Sequence, residues 1–298
     1  MLRVFLFVAT NIAVLALLSI ICKIFGIDQY AAARGYGGLV PLLVFAAVIG
    51  MGGSFISLAM SKWVAKRMTG AQVIENPSSE AERWLLATVR QHAQSAGIGM
   101  PEVAVYDAPE MNAFATGMRK DKAMVAVSTG LLHGMDREQL KAVLGHEIGH
   151  VANGDMVTLA LVQGVLNTFV IVLARVIGGI VDNWLSGGRD TRGGGIAYFV
   201  IVIVLQIVLG IFASMIVMAF SRWREFRADA AGAHLAGRSS MISALERLRA
   251  NHGENTLPKQ MAAFGISGHI AGGFKRLFMS HPPLEERIAA LQATSPVG

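Results

Sequence analysis

Residues 146–150 read His-Glu-Ile-Gly-His, and these residue types at this spacing carry a definite chemistry. Two histidines four positions apart fall about 40° apart around an α-helix, so both imidazoles leave one face. That is the separation at which two nitrogen ligands grip one tetrahedral zinc. Glu147 lies on the same side and can take a proton from an attacking water without being a ligand itself. The reaction such a set performs is hydrolysis.

Catalytic zinc takes three protein ligands and keeps a fourth position for water. A further histidine six residues on, which some zinc helices use, is ruled out because that position is Met156. No Glu occurs between Glu147 and Glu225, and no His between His150 and His234. The first strong candidate is therefore Glu225, in Arg224-Glu225-Phe226-Arg227-Ala228-Asp229. Asp229 follows on the same helical face, where a carboxylate can accept the second ring N–H of a ligating histidine. The competing reading of both acids is a solvated face threaded with Arg222, Arg224 and Arg227.

The pentapeptide needs a helix, and its flanks specify one. Asp136 with Gln139 three residues on forms a capping-box pattern. Apolar Leu140, Val143, Leu144, Ile148 and Val151 recur at helical spacing, and Asn153-Gly154 is a stop signal. Upstream, Glu80 to Ala96 reads as a helix ended by Gly97-Ile98-Gly99 and Pro101. Glu102 to Asp107 and Ala123 to Val127 read as short strands, with a third around Asn112-Ala113-Phe114-Ala115.

Composition says where this block sits. Hydrophobic residues make up 53% of the 298 positions and charged residues 15%, and the mean hydropathy is +0.51. Soluble domains carry about 25% charged residues, so a soluble enzyme is excluded. Four stretches reach the roughly 20 apolar residues a helical span needs: about 4–25, 39–60, 156–180 and 196–220. The first is too long for the apolar part of a typical signal peptide and has no cleavage-site pattern after it, so it reads as a retained span. Lone Cys22 excludes a disulfide scaffold. The net charge of +6 is concentrated after spans two (Lys62, Lys66, Arg67) and four (Arg222, Arg224, Arg227). That pattern points to the cytoplasmic side of a bilayer and away from nucleic acid. Both polar blocks and both termini are then expected in the cytoplasm.

With this helix, two apolar hairpins and the Arg-Glu-Phe-Arg-Ala-Asp segment after the last one, the chain resembles the HtpX family of heat-shock proteases. These belong to a gluzincin group that also contains the CAAX prenyl endopeptidase, and the resemblance covers essentially the whole length. It implies zinc as the metal, one per chain, Glu225 as third ligand and a role for Asp229 beside a ligating histidine. It also implies stress-linked quality control in the bacterial plasma (inner) membrane, with misfolded membrane proteins cut on the cytoplasmic face. Asn112, Ala113, Phe114 and Ala115 resemble the family's substrate-binding edge strand, to which an extended peptide can add by backbone hydrogen bonds. His281, in His281-Pro282-Pro283, resembles a C-terminal family segment and could donate a hydrogen bond to the oxyanion; Arg287 is a weaker candidate for the same role.

The fold expected is mostly α: four transmembrane helices and a cytoplasmic α+β zincin-like domain with a small sheet. Its parts are a hairpin at 1–61, the first catalytic segment at 62–155, a second hairpin at 156–220 and the second catalytic segment at 221–298. The partners are polypeptide substrates and the lipid bilayer. An intramembrane protease is disfavoured because Asp136, Arg137, Glu138 and Lys141 are too polar for bilayer depth. A CAAX-type processing enzyme is ranked below general proteolysis, since four spans leave little room for an enclosed chamber. A transporter or scaffold with a structural metal is disfavoured because structural zinc is usually closed by four ligands, often thiolates.

Overall fold

Helices, three of them long and apolar, and a short mixed sheet make up most of the described chain. The computed structural model describes residues 39–185, 196–251 and 277–293, together with positions 20, 23 and 24. It divides into two compact units, residues 1–57 with 160–217 and residues 58–159 with 218–298.

The first unit contains the apolar parts of three helices. These are α1 (Leu39–Thr69), α5 (Asp155–Leu185) and α6 (Ile196–Ala236). All three are long and apolar enough to cross a membrane. The span expected at 4–25 lies outside the described residues. Each helix outruns its expected span: α1 continues to Thr69 and α6 to Ala236. At 1.5 Å per residue the 41 residues of α6 extend about 60 Å, twice the hydrocarbon thickness. Such a helix is longer than a single bilayer crossing requires. Small residues let these helices pack closely, as expected between spans. A Cβ on Gly50 would meet Thr168, one on Gly164 would meet Met51, and one on Gly178 would meet Val202. Leu42, Leu43, Ala46, Val172 and Val176 form one buried cluster there, and Ala174, Tyr198 and Val202 another. Val44, Val48, Ile203, Ile207 and Phe212 stay exposed, as side chains that face lipid must.

The second unit holds the sheet and the site. Its strands are β1 (Gln72–Val73), β2 (Glu102–Tyr106), β3 (Ala113–Thr116) and β4 (Met124–Ser128), in the order β1-β2-β4-β3. β2 and β4 are parallel, with Val103 opposite Val125, and both outer pairs are antiparallel. Neither β1 nor the short helix α3 (Thr129–Gly134) is anticipated by the sequence pattern. β3 begins one residue later than expected. The backbone of Asn112 is already committed, its N–H donating to Ser128 Oγ at 3.0 Å and its C=O accepting from Ser128 N at 2.9 Å. Antiparallel pairs alternate between hydrogen-bonded and non-bonded. If Asn112 faces Ser128 as a bonded pair, then Phe114 bonds Ala126, and Ala113 and Ala115 turn their N–H and C=O groups to the open edge.

α2 (Glu80–Ser95) starts with a capping box between Ser79 and Glu82. α4 (Arg137–Asn153) starts with the expected one between Asp136 and Gln139, and ends at Gly154 with φ 65° and ψ 38°, a left-handed cap. α7 (Arg238–Ala250) packs on α4, and α8 (Leu284–Ala293) packs on α7. Where α4 crosses α6 the backbones nearly touch. A Cβ on Gly149 would stand 2.7 Å from Ala231 Cβ, and one on Gly232 would stand 3.1 Å from the backbone N of His146. Gly149, the one glycine of the pentapeptide, is thus held to its identity by packing: only a residue without a side chain lets α6 approach this closely.

Candidate metal centre

That crossing brings the carboxylates of α6 onto the histidines of α4. His146 Nε2 and His150 Nε2 are 3.2 Å apart. Glu225 Oε2 lies 3.6 Å from the first and Oε1 lies 3.3 Å from the second. A tetrahedral ion with ligand bonds of 2.0–2.1 Å has ligand–ligand edges of about 3.3 Å, so the three side chains already stand at the edges of such a cage. Among the described residues, His146, His150 and Glu225 form the group of donors spaced to hold a metal ion.

The outer nitrogens of both rings are held by acids. His146 Nδ1 is 2.9 Å from Asp229 Oδ1, and His150 Nδ1 is 2.7 Å from Asp155 Oδ2. A carboxylate there fixes the hydrogen on Nδ1 and leaves the Nε2 lone pair free. Two Nε2 lone pairs facing each other at 3.2 Å repel unless a cation stands between them. This is the observation that fits the residues to a metal. Asp155 has no counterpart among the expected site residues. Its only signal in sequence is an acid placed directly after the helix stop at Gly154, and its partnership depends on the turn made there.

Arg287, from α8, is fully buried and anchors the far side. Its Nε and Nη2 donate to the two oxygens of Asp229 at 2.8 and 2.5 Å, and its Nη1 stands 3.4 Å from Glu225 Oε2. Two of its three nitrogens are thus engaged in positioning Asp229, while Nη1 has no hydrogen-bond partner among the described residues. His281 is buried as well, with Nδ1 2.7 Å from Glu225 Oε2. That contact is too poorly aligned to count as a hydrogen bond, and His281 Nε2 has no partner among the described residues. Glu147 is 2% exposed, on the same helix face as the histidines. β3, with Ala113, Phe114 and Ala115, packs against α4 and so flanks the cage; all three side chains are buried.

Charge accounts for the proton affinities. Burial pushes the Glu147 carboxyl above the usual carboxylate range, against the pull of the two histidines. Burial also opposes ionisation of Glu225, yet His281 and His150 hold it well below its ordinary value. Asp229 sits at about 2: burial works upward, and the Arg287 guanidinium wins. Burial disfavours charging either ligand histidine, but Asp229 and Glu225 raise His146, while Glu225 and Asp155 raise His150 to about 10. The surroundings of both rings call for positive charge, which a divalent cation supplies as well as protons do.

The sequence pattern of Peptidase family M48 matches residues 79–295. A protein named Protease HtpX from Xanthomonas euvesicatoria pv. vesicatoria is 65% identical over 293 residues, covering 98% of each chain. One of the same name from Stenotrophomonas maltophilia is 64% identical with the same coverage. Among solved structures, S. mikatae Ste24p is similar with a TM-score of 0.60 at 16% identity, over 96% of this chain and 66% of that one; this last likeness concerns the fold alone.

Proposed function

The chain belongs to peptidase family M48, and from that premise we propose a zinc endopeptidase that cuts misfolded or damaged membrane proteins at the cytoplasmic face of the bacterial plasma membrane. It is a membrane-embedded metalloprotease. Zinc as the metal, four spans, the cytoplasmic orientation and the membrane-protein substrates are this proposal's own. Stress-linked quality control is the role they suit. The observation that carries the site assignment is the pair of Nε2 atoms 3.2 Å apart with Glu225 beside both.

In this reading His146, His150 and Glu225 hold the ion. When bound, it acidifies the attacking water and polarises the scissile carbonyl. Glu147 takes the proton of that water on its carboxylate and returns it to the leaving amine. Its dry surroundings favour this, because a carboxyl whose proton affinity is raised accepts a proton readily. Asp229 and Asp155 keep the Nδ1 hydrogens in place, and Arg287 keeps Asp229 in place. His281, whose Nε2 is unpartnered among the described residues, donates to the developing oxyanion. The substrate lies extended along β3, bonding to the outward N–H and C=O groups of Ala113 and Ala115; Phe114 supports the strand from within.

The test is proteolysis of casein by the zinc-loaded protein in detergent. Glu147→Ala is expected to abolish cleavage while zinc stoichiometry stays at one. A variant that cuts as fast as the parent refutes the role of Glu147.

A further inference from the structure

The membrane unit contains a cavity of about 380 Å³ that the hydrolytic reaction does not use. Sites for small ligands and peptide fragments begin at roughly 300 Å³. Its lining is unusual for a bilayer. Gln163 and Asn167 stand one turn apart on α5, and Gln206, Gly210 and Ser214 recur every fourth residue on α6. Each stripe therefore shares one helical face. Leu166, Val170 and Ile49 are among the apolar side chains that complete the lining.

The carboxamides of Gln163, Asn167 and Gln206 make no hydrogen bond with any described residue. All three lie in helices otherwise apolar enough to span a membrane. A polar group left unpaired in hydrocarbon is costly, and those kept there mark functional sites. Glycine usage separates packing from opening. Gly50 and Gly164 are pressed against neighbouring helices, whereas among the described residues a Cβ on Gly210 would meet nothing within 4 Å. Gly210 thus leaves the cavity open without serving helix contact.

We propose that this carboxamide-lined cavity binds an unwound stretch of a substrate's own membrane span. Each carboxamide offers a donor and an acceptor, the complement of a peptide group released from its helix. An intact span has no such groups to offer, since its backbone is satisfied internally. The cavity would therefore select damaged or loosely folded spans over sound ones. This deepens the protease reading by naming the feature recognised, and it rests on that reading for its purpose.

Two measurements test it on the full-length protein. The first compares cleavage of casein with that of two single-span substrates, one with a Gly-Pro interrupted span and one with an unbroken leucine span. Gln206→Leu, Asn167→Leu and Gly210→Leu are expected to leave casein cleavage within twofold. Each should lower kcat/KM for the interrupted span three- to tenfold and bring it towards the leucine span, the range expected for hydrogen bonds in a bilayer. Equal losses on casein and the interrupted span, or no loss on either, overturn the proposal. The second places a photo-crosslinker at Leu166 in the Glu147→Gln background, so it needs no activity. An adduct to the interrupted span that Gly210→Leu suppresses supports the proposal. Adducts only to lipid, or only to the protein's own residues such as 4–25, overturn it. Loss of casein cleavage by the parent would count against the protease reading alone, and the crosslink would still decide the cavity.

Discussion

Asp155 gives the sharpest quantitative check on the centre, because no motif points to it. Its Oδ2 accepts from His150 Nδ1 at 2.7 Å, and Asp155 is 2% exposed. A hydrogen bond to a charged group is worth about 1.5–3 kcal/mol. Asp155→Ala removes it and strands a buried N–H. It also releases His150 to turn or to adopt the other tautomer, which puts the hydrogen on the nitrogen that should face the ion. Outer partners of this kind contribute 10- to 100-fold to metal affinity, or about 1.4–2.8 kcal/mol at tenfold per 1.4 kcal/mol. Asp155→Asn keeps an acceptor oxygen and loses only the charge, so its effect should be smaller. Competition with a calibrated zinc chelator measures both. The expected order is parent tightest, Asp155→Asn intermediate, and Asp155→Ala weaker than parent by 10- to 100-fold. If Asp155→Ala binds within threefold of the parent, the carboxylate does not set the histidine tautomer and the argument fails.

Two further outcomes follow from the same geometry. Gly149→Val places a side chain where even a Cβ meets Ala231 Cβ at 2.7 Å, and overpacking of this kind costs about 1–3 kcal/mol. It should lower the thermal midpoint and weaken zinc binding together, since the crossing that is pushed apart carries Glu225; weakened stability with unchanged zinc affinity would separate the crossing from the site. Asp229 is held at about 2 in the folded protein, against 3.8 when free. Its ionised form therefore stabilises the fold fully above pH 3.8, and the contribution is lost as pH falls through 2. The size is about 2 kcal/mol. In denaturant titrations of metal-free protein, the stability advantage of the parent over Asp229→Asn should shrink by that amount between pH 4 and pH 2; a constant difference contradicts it.

What could be read from the sequence was local. The capping box of Asp136 and Gln139 and the stop at Gly154 are set by residues a few positions apart, so α4 was legible to within a residue or two. Apolar length alone marked α1, α5 and α6. The extension of α6 to Ala236 was harder, because a helix leaving the bilayer changes its polarity and keeps its geometry. β1 is two residues long and can show no periodicity. Asn112 reads like the strand it precedes, yet Ser128, sixteen residues on, has taken its backbone groups. The sequence marks Arg287 only as a weaker oxyanion candidate, and nothing local ties it to Asp229. Its pairing with Asp229 spans 58 residues and depends on how α8 docks. The close approach of Gly149 and Gly232 is likewise invisible in either helix alone.

These non-local pairings meet in one charge balance. Four carboxylates, Glu147, Asp155, Glu225 and Asp229, are buried around the histidines, with Arg224 and Arg287 as the buried guanidiniums of the same network. Burying a charge without compensation is among the costliest things a fold can do. Acids outnumber arginines in this network, and the positive charge it still calls for is of the kind a divalent cation supplies. Without the ion the same deficit falls on the imidazoles, which is why Asp229, Asp155 and Glu225 raise the proton affinity of His146 and His150. Protons and metal compete for one role, so binding the ion must expel protons, and the metal that serves catalysis also neutralises the interior on which α4, α6 and α8 converge.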